Sequence, residues 1–447
     1  MTRILFTCWP FPGHVLPQLG VARALRERGH EVLFATGASA APGIERAGFD
    51  VAPFRHLDEG RARAAVEALE QRDQRSRPSP ALVRRTFREW LVETIPDQLA
   101  DLGPLVDAWR PDGISTDVAF WSPMVVLHEQ AGVPVAVFPT FLGPLIPGPG
   151  APPWGLGLPP PKGPVGRFLT RSVNAATKWG GRGLRARVDE LRAAHGLGPL
   201  GCTVNELMGR LPLCLVGGVR ELDYGRADLP PSVHYVGDCT WHPSGGDGGD
   251  SGGDGDEWLA GVPGDQPWVH VSEGTLHSGD PFLLRAAAEG LARRPVQVVL
   301  TAGQRDPAAL GLGPLAPNVH LAGWVDHATL LPRCRVVITA GGAGTIISSL
   351  RAGVPLVVVP TTWDKPDNAR RVTEAGVGVR LSPRRCTPAR LRAAVEEVLA
   401  DPGYARRARA AAALLDRAPG PGGAAELLVA MAREGAPASG RTGEGRE

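Results

Sequence analysis

Short apolar runs alternate with segments of helical period along the 447-residue chain, and their spacing sets the expected elements. Residues 4–7 read as a buried strand, followed by the loop CWPFPGHVLP. Pro17 then sits near the first turn of a helix whose apolar residues Leu19, Val21, Ala22 and Leu25 share one face. Gly29 closes that helix and 31–36 form the next strand, so the chain opens as a βαβ unit and a parallel sheet is expected. From 58 to about 101 the pattern is charged and helical, broken by Pro78 and Pro80, and reads as a helical insertion. Residues 113–116 form a further strand ending in Asp117, with 119–130 as its helix and 133–138 as the next strand. Strands over 213–216 and 233–236 close this half.

Residues 143–166 interrupt the alternation, being rich in Pro and Gly and too long for an ordinary connection. Long irregular loops on α/β scaffolds carry binding. A helical segment follows over about 172–195, and SGGDGGDSGGDGDE at 244–257 reads as a flexible acidic linker with no chemistry of its own. The alternation then restarts, with strands over 268–272, 296–300 and 319–322 and a helix over 281–293. Next comes RVVITAGGAGTIISSLRAGVPLVVV: a β-branched strand over 336–339, a glycine turn over 341–345, a helix over 346–352 stopped by Gly353 and Pro355, and a strand over 356–359. A strand near 377–381 and helices over 388–400 and 405–433 complete the pattern, and GAPASGRTGEGRE reads as a disordered tail. The expected division is 1–240, a linker over 241–260, 261–405, a C-terminal helix over 406–433 returning toward the first domain, and a tail over 434–447.

Composition narrows the class. Apolar content of 43% with 21% charged residues is that of a globular protein, and no run approaches the roughly 20 apolar residues of a membrane span. The start, MTRILFTCW, leads straight into a strand without a signal-peptide layout. A net charge of +2 gives no reason to expect nucleic acid. The six cysteines lack CxxC or metal-type spacing and read as reduced core thiols of a cytoplasmic protein.

Three places carry candidate chemistry. Glycines at 341, 342 and 344 would let a backbone approach an anion at a helix N-terminus, although a tight turn without ligand has the same pattern. His14, flanked by Gly13 and prolines in a loop after the first strand, has the near-neutral pKa that suits a general base. Asp117, at the C-terminal end of a strand of the same sheet, could orient that imidazole or could cap the helix near Ala119. Asp112 precedes the strand, at its wrong end.

The motifs FPGHVLP (11–17), STDVAFW (115–121), VHVSEGT (269–275), GWV (323–325), AGGAGT (340–345) and WDKPDNARRV (363–372) occur in that order. With them the chain resembles the family 1 glycosyltransferases, specifically the bacterial natural-product enzymes of the GT-B fold, over all but the linker and tail. The resemblance implies two Rossmann-like, doubly wound parallel-sheet domains facing each other across a cleft. It also implies that APPWGLGLPPPKGPVGR (151–167) is an acceptor-side loop. His14 would be the general base and Asp117 its partner. Gly341, Gly342, Ala343, Gly344 and Thr345 would hold a donor diphosphate, helped by Ser272, Gly274 and Thr275. Trp324 would stack on the base with the Val325 backbone at the base edge, the alternative being a core tryptophan. Asp364 and Lys365 match the Asp/Glu-Gln pair that binds sugar hydroxyls, and Asp364 could instead cap a helix. Phe11, Phe120, Trp121, Phe141 and Trp154 would form the acceptor pocket, or else belong to the core.

Three positions depart from that pattern. Ala340 stands where histidine is usual, a loss of about 1.5–3 kcal/mol of phosphate binding unless Thr339 or a basic group compensates. Lys365 replaces glutamine, and Ser348 replaces the glutamate that binds the ribose hydroxyls of uridine donors. A dTDP-deoxysugar is therefore expected over a UDP-hexose, transferred with inversion to a hydroxyl of a hydrophobic aglycone. The nucleotide sugar is a co-substrate, and neither a cofactor nor a metal site is expected. Nucleic acid and membrane insertion are not expected, and a homodimer stays open. The rivals are a non-catalytic sugar-nucleotide-binding GT-B homologue, a nucleotide-sugar epimerase or a GT-B enzyme of lipid or cell-wall precursors, and a dinucleotide-binding dehydrogenase. For the last, the required GxGxxG after the first strand is missing.

Overall fold

A computed structural model describes residues 1–76, 78–138, 140–241, 258–274, 279–303 and 305–435. The expected linker over 244–257, the tail beyond 435 and Thr275 lie outside the described residues.

The first domain is built on a seven-stranded sheet with the order β3-β2-β1-β4-β5-β6-β7. Its strands are β1 (Arg3–Cys8), β2 (Glu31–Thr36), β3 (Asp50–Pro53), β4 (Gly113–Asp117), β5 (Val135–Phe138), β6 (Leu213–Val216) and β7 (Val233–Tyr235). The second has six strands in the order β10-β9-β8-β11-β12-β13. These are β8 (Trp268–Ser272), β9 (Gln297–Thr301), β10 (Val319–Ala322), β11 (Cys334–Thr339), β12 (Leu356–Val358) and β13 (Gly378–Arg380). Every pairing is parallel. Apolar side chains alternate to both faces of each sheet and are covered there by helices, which gives two core clusters per sheet. All six cysteines are buried and unpaired.

In each sheet the strand order reverses once, between β1 and β4 and between β8 and β11. Connections leave such a pair of strands in opposite directions, so a crevice opens beyond their C-terminal ends. The two crevices face each other across the cleft.

Several expectations need correction. The first helix spans Pro12–Glu27 and contains Pro17 in its interior, so His14 lies in a helical first turn and not in a loop. Pro12 at the helix start, where the missing N–H is not needed, allows this early entry. The single helix expected over 406–433 is two, Pro402–Asp416 and Gly420–Glu434. Arg417 to Pro419 separate them, and Gly420, the first residue of the second helix, has φ +62, a left-handed conformation that redirects the chain there. The segment over 172–195 is likewise two helices, Gly163–Gly180 and Arg182–Ala194. The helix expected over 119–130 is a π-helical turn, Pro123–Leu127, running into His128–Gln130. The last helix packs on the first sheet, where Ala424, Ala425 and Leu428 are fully buried with Ile4, Phe6 and Leu25.

Candidate active site

The first crevice brings together β1, β4 and the first helix. Trp9 to Phe11 turn the chain at the end of β1, and the His14 N–H donates to the Phe11 carbonyl at 2.8 Å. This first turn delivers the His14 Nδ1 to the Asp117 Oδ2. Asp117 ends β4, is fully buried, and its Oδ1 also accepts the Ala119 N–H at 2.9 Å. The turn bond and the imidazole contact thus use different oxygens, and Asp117 serves both. Asp112 lies at the opposite end of the sheet, where it accepts the Arg3 N–H at 2.7 Å. The His14 side chain is 13% exposed. Burial alone would depress its imidazolium, but the Asp117 charge and hydrogen bond, with the Asp364 charge, raise its pKa above the ordinary value.

The second crevice is formed by the ends of β8 and β11. Gly341 has φ +98, and a Cβ there would stand 3.2 Å from both the Lys365 Cβ and its carbonyl oxygen, so this turn requires glycine. Gly341 itself lies behind the cavity wall, while Gly342, Ala343, Gly344 and Thr345 line it. The helix Ala343–Arg351 starts here, and its first N–H groups have no acceptor within the helix. Ser272 and Gly274 line the same wall, the Ser272 Oγ accepting the Gly274 N–H at 3.2 Å. Trp324 is 53% exposed beside buried Val325, which sets aside the core reading for that tryptophan. Thr339 spends its hydroxyl on the Gly341 N–H and is not on the wall, so it does not stand in for the missing histidine at Ala340.

Asp364 faces the cavity without capping the helix Lys365–Glu374 that follows it. Burial lifts its carboxyl to about 6, against the lowering influence of Lys365 and of the Asn368 side chain, which donates to it at 2.6 Å. Lys365 donates to the Thr361 hydroxyl at 3.1 Å, and its Nζ lies 3.6 Å from the Glu70 Oε2. Trp363 between them has φ +59, a strained setting for a bulky residue that costs on the order of 1–3 kcal/mol.

One cavity of about 380 Å³ joins both crevices. On the side next to His14 an unbroken succession of ring contacts runs from His14 through Phe11, Trp90, Trp363, Phe87 and Trp154 to Phe141. Of the expected acceptor residues Phe11, Trp121, Phe141 and Trp154 line the cavity, and Phe120 does not. Phe120 is fully buried, stacked on Phe54 at 5.2 Å and edge-on to Trp9, because the turn after Asp117 directs it into the core. Sequence reasoning missed Phe87 and Trp90, whose aromatic pair at helical i,i+3 spacing in the insertion was the available signal. It also missed Glu70 and Asp367. Asp367 accepts the N–H groups of Gly155 and Gly157 and so holds the proline-rich loop of the first domain on a helix of the second.

Comparison with known proteins gives concordant matches. Residues 290–431 match the family described as erythromycin biosynthesis protein CIII-like, C-terminal domain. Over 404 residues the chain is 33% identical to 4'-demethylrebeccamycin synthase of Lentzea aerocolonigenes, covering 90% of this chain and 93% of that protein. It is 27% identical to demethyllactenocin mycarosyltransferase of Streptomyces fradiae, covering 96% and 87%. The solved structure of the glycotransferase of kitacinnamycin superposes with a TM-score of 0.72 at 26% identity, over 96% of this chain and 99% of that one.

Proposed function

The chain belongs to the bacterial natural-product glycosyltransferases of family 1, and we propose that it transfers a deoxysugar from a dTDP donor, with inversion, to a hydroxyl of a hydrophobic aglycone. The observation that carries this reading is the His14–Asp117 pair, set across one cavity from the N-terminus of the helix Ala343–Arg351. With Nδ1 engaged by the carboxylate, Nε2 is left to take a proton. The acceptor oxygen attacks the anomeric carbon as His14 removes its hydrogen. The bond from that carbon to the diphosphate oxygen breaks on the opposite side, and the electron pair leaves with the diphosphate. Asp117 stabilises the imidazolium formed. The N–H groups and Thr345 hydroxyl at the helix start, with the helix dipole, receive the leaving charge.

The donor preference rests on Ser348, which lines the cavity on the same helix and brings no carboxylate to a ribose 2'-hydroxyl. The aromatic wall suits an apolar or aromatic aglycone better than a free sugar. Incubation with a panel of nucleotide sugars and hydrophobic aglycones, read by product mass, tests the reading. A glycoside from a dTDP-deoxysugar is the expected result. Equal turnover of UDP-glucose counts against the donor preference, and a His14→Ala variant with wild-type turnover and unchanged donor binding overturns the base assignment.

A further inference from the structure

Thr362, Trp363 and Lys365, at three of four successive positions after β12, all address one carboxylate from the other domain. Glu70 ends the helix Glu59–Glu70 of the first domain and is completely buried. Its Oε1 accepts the Thr362 hydroxyl and, at 2.6 Å, the Trp363 indole N–H, while Lys365 approaches its Oε2. Asp364 lies among these three residues and faces the cavity. We propose that Glu70 is a positioning residue for the donor sugar, an anion lent by the acceptor domain that holds 362–365 so that the Asp364 carboxylate meets the sugar hydroxyls. The proposal rests on the donor-site reading above.

Three features support it. Trp363 keeps a left-handed backbone, which persists only where surroundings over-determine it. Its hydrogen bond to Glu70 and its ring contacts with Trp90 at 5.4 Å and Phe87 at 5.9 Å do so here. Lys365 is only 11% exposed, and an ammonium so placed needs a counter-charge. Glu70 supplies that charge, and Asp364 is left to address the sugar. Finally, Asn368 donates both to Asp364 and, at 3.0 Å, to the Gly341 carbonyl. The Asp364 side of the network is thereby tied to the turn behind the diphosphate cradle.

The test compares thymidine diphosphate with dTDP-glucose by titration calorimetry on Glu70→Gln, Lys365→Gln and the double variant, with thermal unfolding as the check of folding. Glu70→Gln keeps an oxygen for Thr362 and Trp363 but removes the charge facing Lys365. Each single variant is expected to weaken dTDP-glucose about tenfold or more, the size of a misplaced hydrogen bond to a charged group. Thymidine diphosphate should change by less than about twofold, since its contacts lie elsewhere. The double variant, with a neutral amide pair and no unpaired buried charge, recovers most of the loss. Equal losses for both ligands, additive losses in the double variant, or no loss at all would overturn the proposal while leaving the donor site standing. A wild-type chain that binds no thymidine diphosphate removes the donor-site reading, and the role of Glu70 with it.

Discussion

Asp367, on the second domain, accepts the backbone N–H of Gly157, on the first, at 2.7 Å. The Gly155 N–H reaches the other carboxylate oxygen at 2.6 Å, so one side chain clasps the loop that carries Trp154 to the cavity. Gly157 has φ +59, and a Cβ there would stand 2.7 Å from the Pro366 carbonyl oxygen, which leaves no room for another residue. Asp367→Ala is expected to free this loop. Each charge-assisted bond is worth about 1.5–3 kcal/mol, so the acceptor KM should rise about tenfold or more while thymidine diphosphate affinity holds. Acceptor-saturation kinetics decide the point, together with faster proteolysis at exposed Leu156 and Leu158.

His14→Ala should lower turnover by about 10²–10⁴, the usual contribution of a general base. Asp117→Asn should also slow the reaction, because an amide cannot stabilise the imidazolium. Neither change should weaken thymidine diphosphate binding, and stopped-flow single-turnover rates beside calorimetry separate the two effects.

The pH profile follows from the charges around His14. The base must be neutral to accept a proton, and its pKa lies above the ordinary 6.5 because Asp117 and Asp364 outweigh the depressing effect of burial. The acid limb of kcat/KM is therefore expected above that pH, with activity rising as pH rises. Folding linkage has the opposite sign. Protonated His14 stabilises the folded chain below its unfolded pKa, and that contribution fades as pH rises through the folded value. Asp364→Asn removes one raising charge, so the acid limb of its residual activity should shift to lower pH. A limb that stays put in this variant refutes the coupling.

Trp324→Ala should cost thymidine diphosphate about 1–3 kcal/mol, the range for loss of a stacked base. Because the side chain is 53% exposed, the thermal midpoint should barely move. Trp324→Phe should retain part of the affinity. A large fall in the thermal midpoint with unchanged affinity would return Trp324 to a structural role.

Chelation gives a further check. The leaving diphosphate is assigned to the N–H groups of Ala343, Gly344 and Thr345 at the start of a nine-residue helix. Turnover should then survive EDTA. Full activity only with added divalent metal would remove this assignment.

Strands β6, β8 and β10 were legible residue for residue, being apolar runs sharply bounded in sequence. β3 was not, because its DVAP lies half-exposed at a sheet edge and is four residues long with a proline. Most of the site was legible for a local reason. Each half is a strand end plus the turn after it, so His14, Asp117, Ser272 and Gly342 to Thr345 lie within short contiguous motifs. The aromatic wall depends on tertiary placement: Phe120, expected on it, turns into the core, and Trp90, to which the sequence assigned no role, lines the cavity. Glu70 ends an ordinary charged helix. Lys365 stood out in sequence only as a replacement for glutamine, and its nearness to Glu70 is a tertiary fact.

The helix Gly420–Glu434 completes the core of the sheet that begins at Arg3, with Met431 beside Gly113 and Leu428 buried among β1 and the first helix. A ribosome releases Arg3 first and Glu434 more than four hundred codons later. Throughout that interval one face of the nascent first sheet is covered only in part, by the first helix, and the second sheet is translated while it waits. Chains in this condition are exposed to aggregation and to chaperone capture. The domain made first is the one whose core is closed by the last helix.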